Sequence, residues 1–95
     1  MIMIFGFIKI GETGYSEIDF VKDNSGPQGA DTSELGQDIL LELETTKGVH
    51  YVARIDGFIR IMGHLPLVEL QIQLNKAFLK VYNVIPNYVF ERTVH

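Results

Sequence analysis

Residues 65–86, LPLVELQIQLNKAFLKVYNVIP, decide the fold because their pattern fits both a strand and a helix. Apolar and polar residues alternate over 68–75, as they do in a half-buried strand. Over the longer stretch, however, the polar residues recur at spacings of 4, 3, 4 and 3 and therefore share one narrow arc of a helix. These polar residues are Glu69, Gln73, Lys76, Lys80 and Asn83.

The two prolines of this stretch favour the helix. Pro66 suits the first turn of a helix, where its missing N–H costs nothing, and Pro86 prevents the helix from continuing. The sequence therefore predicts a helix over residues 66–84. The alternative, a strand over 68–75, would make the whole chain an all-β meander.

Residues 38–62 predict three antiparallel strands. The runs DILLELETT, VHYVARI and FIRIM are separated by Lys47-Gly48 and Asp56-Gly57, and Asp-Gly is typical of a two-residue hairpin turn. With two-residue turns, Ile55 opposes Phe58 and Val52 opposes Leu43. One face of this meander would then be the core side, with Ile39, Leu41, Leu43, Val52, Ile59 and Ile61, and with Thr45, His50 and Arg54 among them.

The two ends of the chain predict further strands. MIMIFGFIKI, residues 1–10, is apolar on both faces of a strand, and NYVFERTV follows Pro86. Between them, residues 11–37 carry many turn formers and predict a mobile acidic loop, in which YSEIDFV also fits a short strand. The sequence thus predicts one α+β domain, 1–95. Its order is β, long loop, β-β-β, α, β, with one long helix on one face of an antiparallel sheet.

Composition and charge exclude several function classes. The chain has no cysteine, which excludes disulfides and Cys-based zinc sites. Its net charge is −4 and its first half is strongly acidic, which argues against nucleic acid as a partner. The apolar run at the N-terminus is too short to cross a bilayer, so we expect a cytoplasmic protein without a membrane partner.

The sequence carries one candidate ligand pocket and no catalytic motif. No phosphate-binding loop, nucleophile elbow or metal-binding histidine spacing occurs, so we expect no metal or cofactor. Arg54 falls on the apolar face. Either its stem packs there while its head reaches solvent, or its guanidinium is buried against a loop acid or an anion. Together with His50 and Tyr82 it outlines a pocket between helix and sheet.

By function, the sequence predicts a small acidic, non-catalytic interaction or regulatory protein that binds a protein partner as inhibitor or immunity proteins do. A homodimer is also expected, because the first strand and the far side of the helix carry more apolar surface than one sheet covers. The helix residues in excess are Val68, Ile72, Leu79 and Tyr82. The alternative is a small-ligand or anion-binding module, or a minor enzyme, that uses the Arg54 pocket.

Overall fold

The computed structural model describes residues 2–11, 14–23, 35–64 and 66–91. It has an α+β fold in which two helices pack on one face of a mixed five-stranded sheet of order β3-β4-β2-β1-β5. The elements are β1 (Met3–Ile10), β2 (Ser16–Asp23), α1 (Gln37–Glu44), β3 (Val49–Ile55), β4 (Phe58–Gly63), α2 (Leu67–Tyr82) and β5 (Asn87–Phe90).

The helix predicted over residues 66–84 is confirmed as α2, and the all-β meander is wrong. The helix ends at Asn83, whose φ of 58° is left-handed and whose N–H donates to the carbonyl of Leu79. Its buried side chains recur every three or four residues, which is the period that the polar arc implies. They are Leu70, Leu74, Ala77 and Phe78.

The strand predicted from DILLELETT is wrong, because residues 37–44 form α1. Ile39 and Leu43 are fully buried and lie four residues apart, a spacing that fits one face of a strand and one face of a helix equally. The straight-chain Leu and Glu residues of this segment lose little rotamer freedom in a helix, and they favour it over a strand. Leu41, predicted to be a core residue, is 53% exposed, and Leu43 does not oppose Val52.

The hairpin of β3 and β4 is confirmed in its register. Ile55 opposes Phe58 across a two-residue turn, and Asp56 has the positive φ, 49°, that such a turn requires at its first central position. A β-bulge further along places Val49 opposite Gly63. The bulge therefore gives Val49 the core-side position that simple alternation predicted for His50.

The long loop predicted over 11–37 is wrong for residues 16–23, and the short strand that YSEIDFV also fits is confirmed there as β2, in the middle of the sheet. The rest of the acidic segment, 24–34, lies outside the described residues, so its mobility stays a prediction. The sheet is also mixed and not antiparallel, because β5 pairs in parallel with β1. This follows from α2, which crosses the sheet between the parallel strands β4 and β5.

The core lies between the helices and one face of the sheet, the covered face. Gly6 on this face leaves room for aromatic rings, since a Cβ there would meet Phe20 Cε1 at 2.9 Å and Tyr88 Cδ1 at 3.0 Å. The Phe20 ring in turn contacts Phe78 of α2, with ring centroids 4.6 Å apart. The core side chains are Ile4, Ile8, Ile18, Phe20, Leu35, Ile39, Leu43, Ile59, Ile61, Leu70, Leu74, Ala77 and Phe78.

Candidate functional site: the open face of the sheet

The sheet has a second face, and none of its side chains belongs to the hydrophobic core cluster. Because side chains alternate along a strand, the register identifies every residue on this side. We call these residues the open face. They are Met3, Phe5, Phe7, Lys9, Glu17, Asp19, Val21, Asp23, Tyr51, Ala53, Ile55, Phe58, Arg60, Met62, Asn87 and Val89.

Most of the open face is apolar. Phe5 and Phe7 lie one above the other on β1 with their ring centroids 6.4 Å apart. Tyr51 is 47% exposed at one side of the sheet and Val89 is 41% exposed at the other. A sheet face that meets only water usually carries polar side chains, so this composition is unusual for a solvated face.

An ion cluster occupies the middle of this apolar surface. Arg60 donates two hydrogen bonds to Asp19, from Nε to Oδ1 at 2.8 Å and from Nη2 to Oδ2 at 3.1 Å, and it also pairs with Glu17. The hydrogen bonds that Arg60 donates to Asp19 raise the pKa of Arg60 above its ordinary value, so the guanidinium stays charged. Its Cζ lies over the Phe58 ring, 5.4 Å from the ring centroid, in a cation–π contact.

Sequence reasoning missed this cluster because it assigned the acids of Arg60 to the wrong segment. The predicted meander would place Glu42 and Glu44 on the same face as Arg60, but both belong to α1. The usable signal was the alternation of acids in Ser16–Asp23, where Glu17 and Asp19 share a face of a strand. What the sequence could not show is that this strand pairs with β4.

The structure does not gather the predicted ligand residues into one place. Arg54 is exposed on the edge strand β3, opposite Ile59, and His50 lies near the other end of that strand. Tyr82 ends α2, and its hydroxyl accepts a hydrogen bond from the N–H of Gly36 at 2.9 Å, which ties the two helices together. A ligand-binding role for these three residues stays a prediction.

His50 does line a surface cleft, with a volume of about 310 Å³. The other residues of this cleft are Glu44, Val49, Tyr51 and Val52, so that neither Arg54 nor Tyr82 contributes. A cleft of this kind has one imidazole and one carboxylate within an otherwise apolar or neutral lining. It lacks the convergent polar groups that orient a small ligand.

The fold brings together two histidines that the sequence separates. The ring centroids of His50 and His64 lie 4.7 Å apart, and the Tyr15 ring lies 3.9 Å from that of His64. The β3–β4 hairpin causes this proximity, because Val49 and Gly63 are paired directly beside them. Among the described residues, no group of three or more His, Cys, Asp or Glu side chains is placed to hold a metal ion.

Comparison with known proteins adds no relative. The chain matches no protein-family model, no curated protein and no solved structure. Within the part of the chain that the structure describes, neither helix has the length and apolarity that a membrane span needs.

Proposed function

We propose that this chain is a non-catalytic interaction protein that docks another protein surface on its open face. The observation that carries the proposal is the contrast within β1. The strand is apolar on both sides, yet the helices cover only the side of Ile4 and Ile8, and among the described residues no layer covers Phe5 and Phe7. Strands with this pattern are usually buried on both faces.

The composition of the open face supports the same role. Aromatic residues, Met and Arg are enriched at protein interfaces, and the face carries Phe5, Phe7, Phe58, Met62 and Arg60. Arg60 is already paired with carboxylates in the free chain, so a docked partner would not leave its charge buried and unpaired.

As an inhibitor or regulator, the protein would act by covering a partner's surface and would need no chemistry of its own. The proposal includes a cytoplasmic location, which suits a chain without cysteine.

Site-specific photo-crosslinking in native cells tests this function. A benzophenone-bearing phenylalanine at position 51 reports on the open face, and the same residue at position 72 is the control on the outer side of α2. Tyr51 and Ile72 are almost equally exposed, at 47% and 48%, so accessibility alone predicts equal crosslinking. We expect a discrete protein adduct from position 51 that position 72 does not give. Equal yields, or no adduct from position 51, would contradict the proposal.

A further inference from the structure

We propose that the occupant of the open face is a second copy of this chain, which packs face to face to form a four-layer α/β/β/α dimer. This inference rests on the proposed function, since it names the partner of the same surface. Two sheets packed in this way lie about 10 Å apart with interdigitating side chains, a spacing that large groups such as Phe5, Phe7 and Phe58 fill.

The charge of the open face favours a copy of itself over a partner of opposite charge. Lys9 lies opposite Glu17 and Arg60 opposite Asp19, so these acids and bases are already matched in neighbouring pairs. Asp23 adds a further acid at the margin, opposite Met3. A strongly basic partner would require an unbalanced acidic face, whereas a nearly neutral face does not repel its own copy.

The position of the ion cluster also suits a two-fold axis. In a face-to-face dimer about such an axis, each residue near the centre meets its own counterpart or a close neighbour. Glu17 and Asp19 of the cluster lie on β2, the central strand of the five, and Arg60 lies beside them on β4. Arg60 of one copy would therefore lie near Asp19 and Glu17 of the other, which extends the paired cluster across the interface without stranding a charge.

The area of the face is sufficient for a specific dimer. The five strands have four to eight residues each, and at about 3.3 Å per residue and about 4.8 Å between strands they present roughly 500 Å² in projection. Two such faces would bury about 1,000 Å² in total, which is the lower limit for a specific interface. The uneven surface of the side chains adds to this projected area. A dimer that covers the whole face also places every strand between two layers, which accounts for the apolar sides of β1.

Sedimentation equilibrium of the purified full chain tests the dimer with two matched double variants. Tyr51→Lys with Val89→Lys alters the two margins of the open face, at side chains that are 47% and 41% exposed. Ile72→Lys with Leu79→Lys alters the outer side of α2, at side chains that are 48% and 42% exposed. Both double variants add two positive charges and replace equally exposed apolar groups, so they share any general effect on solubility or stability.

We expect the wild type to approach twice the monomer mass of 10.8 kDa as its concentration rises through the micromolar range. The open-face variant should raise the dimer dissociation constant at least about tenfold, while the α2 variant leaves it unchanged. Circular dichroism melts of both variants confirm that each remains folded. All four substituted side chains are exposed in the single chain, so we expect neither double variant to unfold the protein.

Three results would overturn the dimer. They are a mass of 10.8 kDa at every concentration, dissociation caused by the α2 variant alone, and a dimer that neither variant weakens. The first result together with a crosslink from position 51 to a different protein would remove the second copy as occupant and leave the interaction function standing. The absence of both self-association and any crosslink would remove both proposals.

Discussion

The two faces of this one sheet differ in whether the helices of the chain cover them. On the covered face, Ile4 and Ile8 are fully buried under the helices, and Gly6 between them receives two aromatic rings. On the open face the same strand presents Phe5 and Phe7, partly exposed, beside an ion cluster. The side chains of the covered face fit the two helices of the same chain closely. The open face offers broad aromatic groups and pre-paired charges, which suit contact with a separate molecule.

The largest expected effect is on the free energy of unfolding, and it is tested by replacing one phenylalanine on each side of the sheet. Phe78→Ala removes a fully buried ring that packs on Phe20, and it should lower the free energy of unfolding by about 3 to 5 kcal/mol. Phe7→Ala should cost about 1 kcal/mol at low protein concentration, because the ring is already partly in water. Urea denaturation measures both. If the dimer forms, the cost of Phe7→Ala should grow with protein concentration, because only the wild type gains from association.

If Phe7→Ala lowered the free energy of unfolding as much as Phe78→Ala does, at every protein concentration, the distinction between the two faces would be contradicted.

The second expected effect concerns the tightness of the covered face. A methyl group in Gly63→Ala would lie 2.5 Å from the carbonyl oxygen of Gly48 and 3.1 Å from Leu70 Cδ1, so backbone must shift. We expect a loss of about 1 to 3 kcal/mol in urea denaturation. Gly11→Ala is the matched control, since its nearest contact would be the Tyr15 carbonyl oxygen at an ordinary 3.7 Å. A neutral Gly63→Ala would show that β4 and α1–β3 are packed more loosely than described.

The third effect is a pH dependence that belongs to the covered face. Burial raises the pKa of Tyr88, whose hydroxyl donates to Asn75 Oδ1 at 2.8 Å. The unfolded chain therefore loses this proton first as pH rises above about 10, while the folded chain keeps it. Below that pH, Tyr88 makes its full contribution to the free energy of unfolding. Above it, this contribution falls by at most about 1.4 kcal/mol for each pH unit.

Urea denaturation between neutral and alkaline pH measures this slope. Tyr88→Phe should reduce it, because the titrating group is gone, and Tyr51→Phe on the open face serves as the control that keeps it. An unchanged alkaline slope in Tyr88→Phe would assign the dependence to other groups.

The smallest expected effect is at Arg54, on the margin between the two faces. The side chain is exposed on the edge strand, so Arg54→Met keeps the apolar stem and should change the free energy of unfolding by no more than about 0.5 kcal/mol. Thermal melts with and without phosphate test this together with the predicted anion pocket. A large destabilisation would show that a contact of the Arg54 guanidinium stabilises the fold. An anion-dependent stabilisation that Arg54→Met abolishes would show that this residue binds an anion.

The sequence by itself determined the elements whose signals are local. The narrow polar arc and two flanking prolines specified α2, and Asp56-Gly57 specified the β3–β4 register. The apolar pattern of Met3–Ile10 also indicated a strand that needs cover on both sides. Each of these signals lies within about twenty residues of chain, so backbone preference and side-chain periodicity suffice to read it.

Only the tertiary structure decided what depends on distant partners. Residues 37–44 carry apolar side chains at a spacing of four, which helix and strand share, and packing against β3 and α2 selects the helix. Arg60 finds its acids 41 residues away in β2, and Gly36 finds the Tyr82 hydroxyl 46 residues away. No local pattern encodes such pairs. The choice of which side of the sheet the helices cover is likewise collective, because it follows from the register of all five strands together.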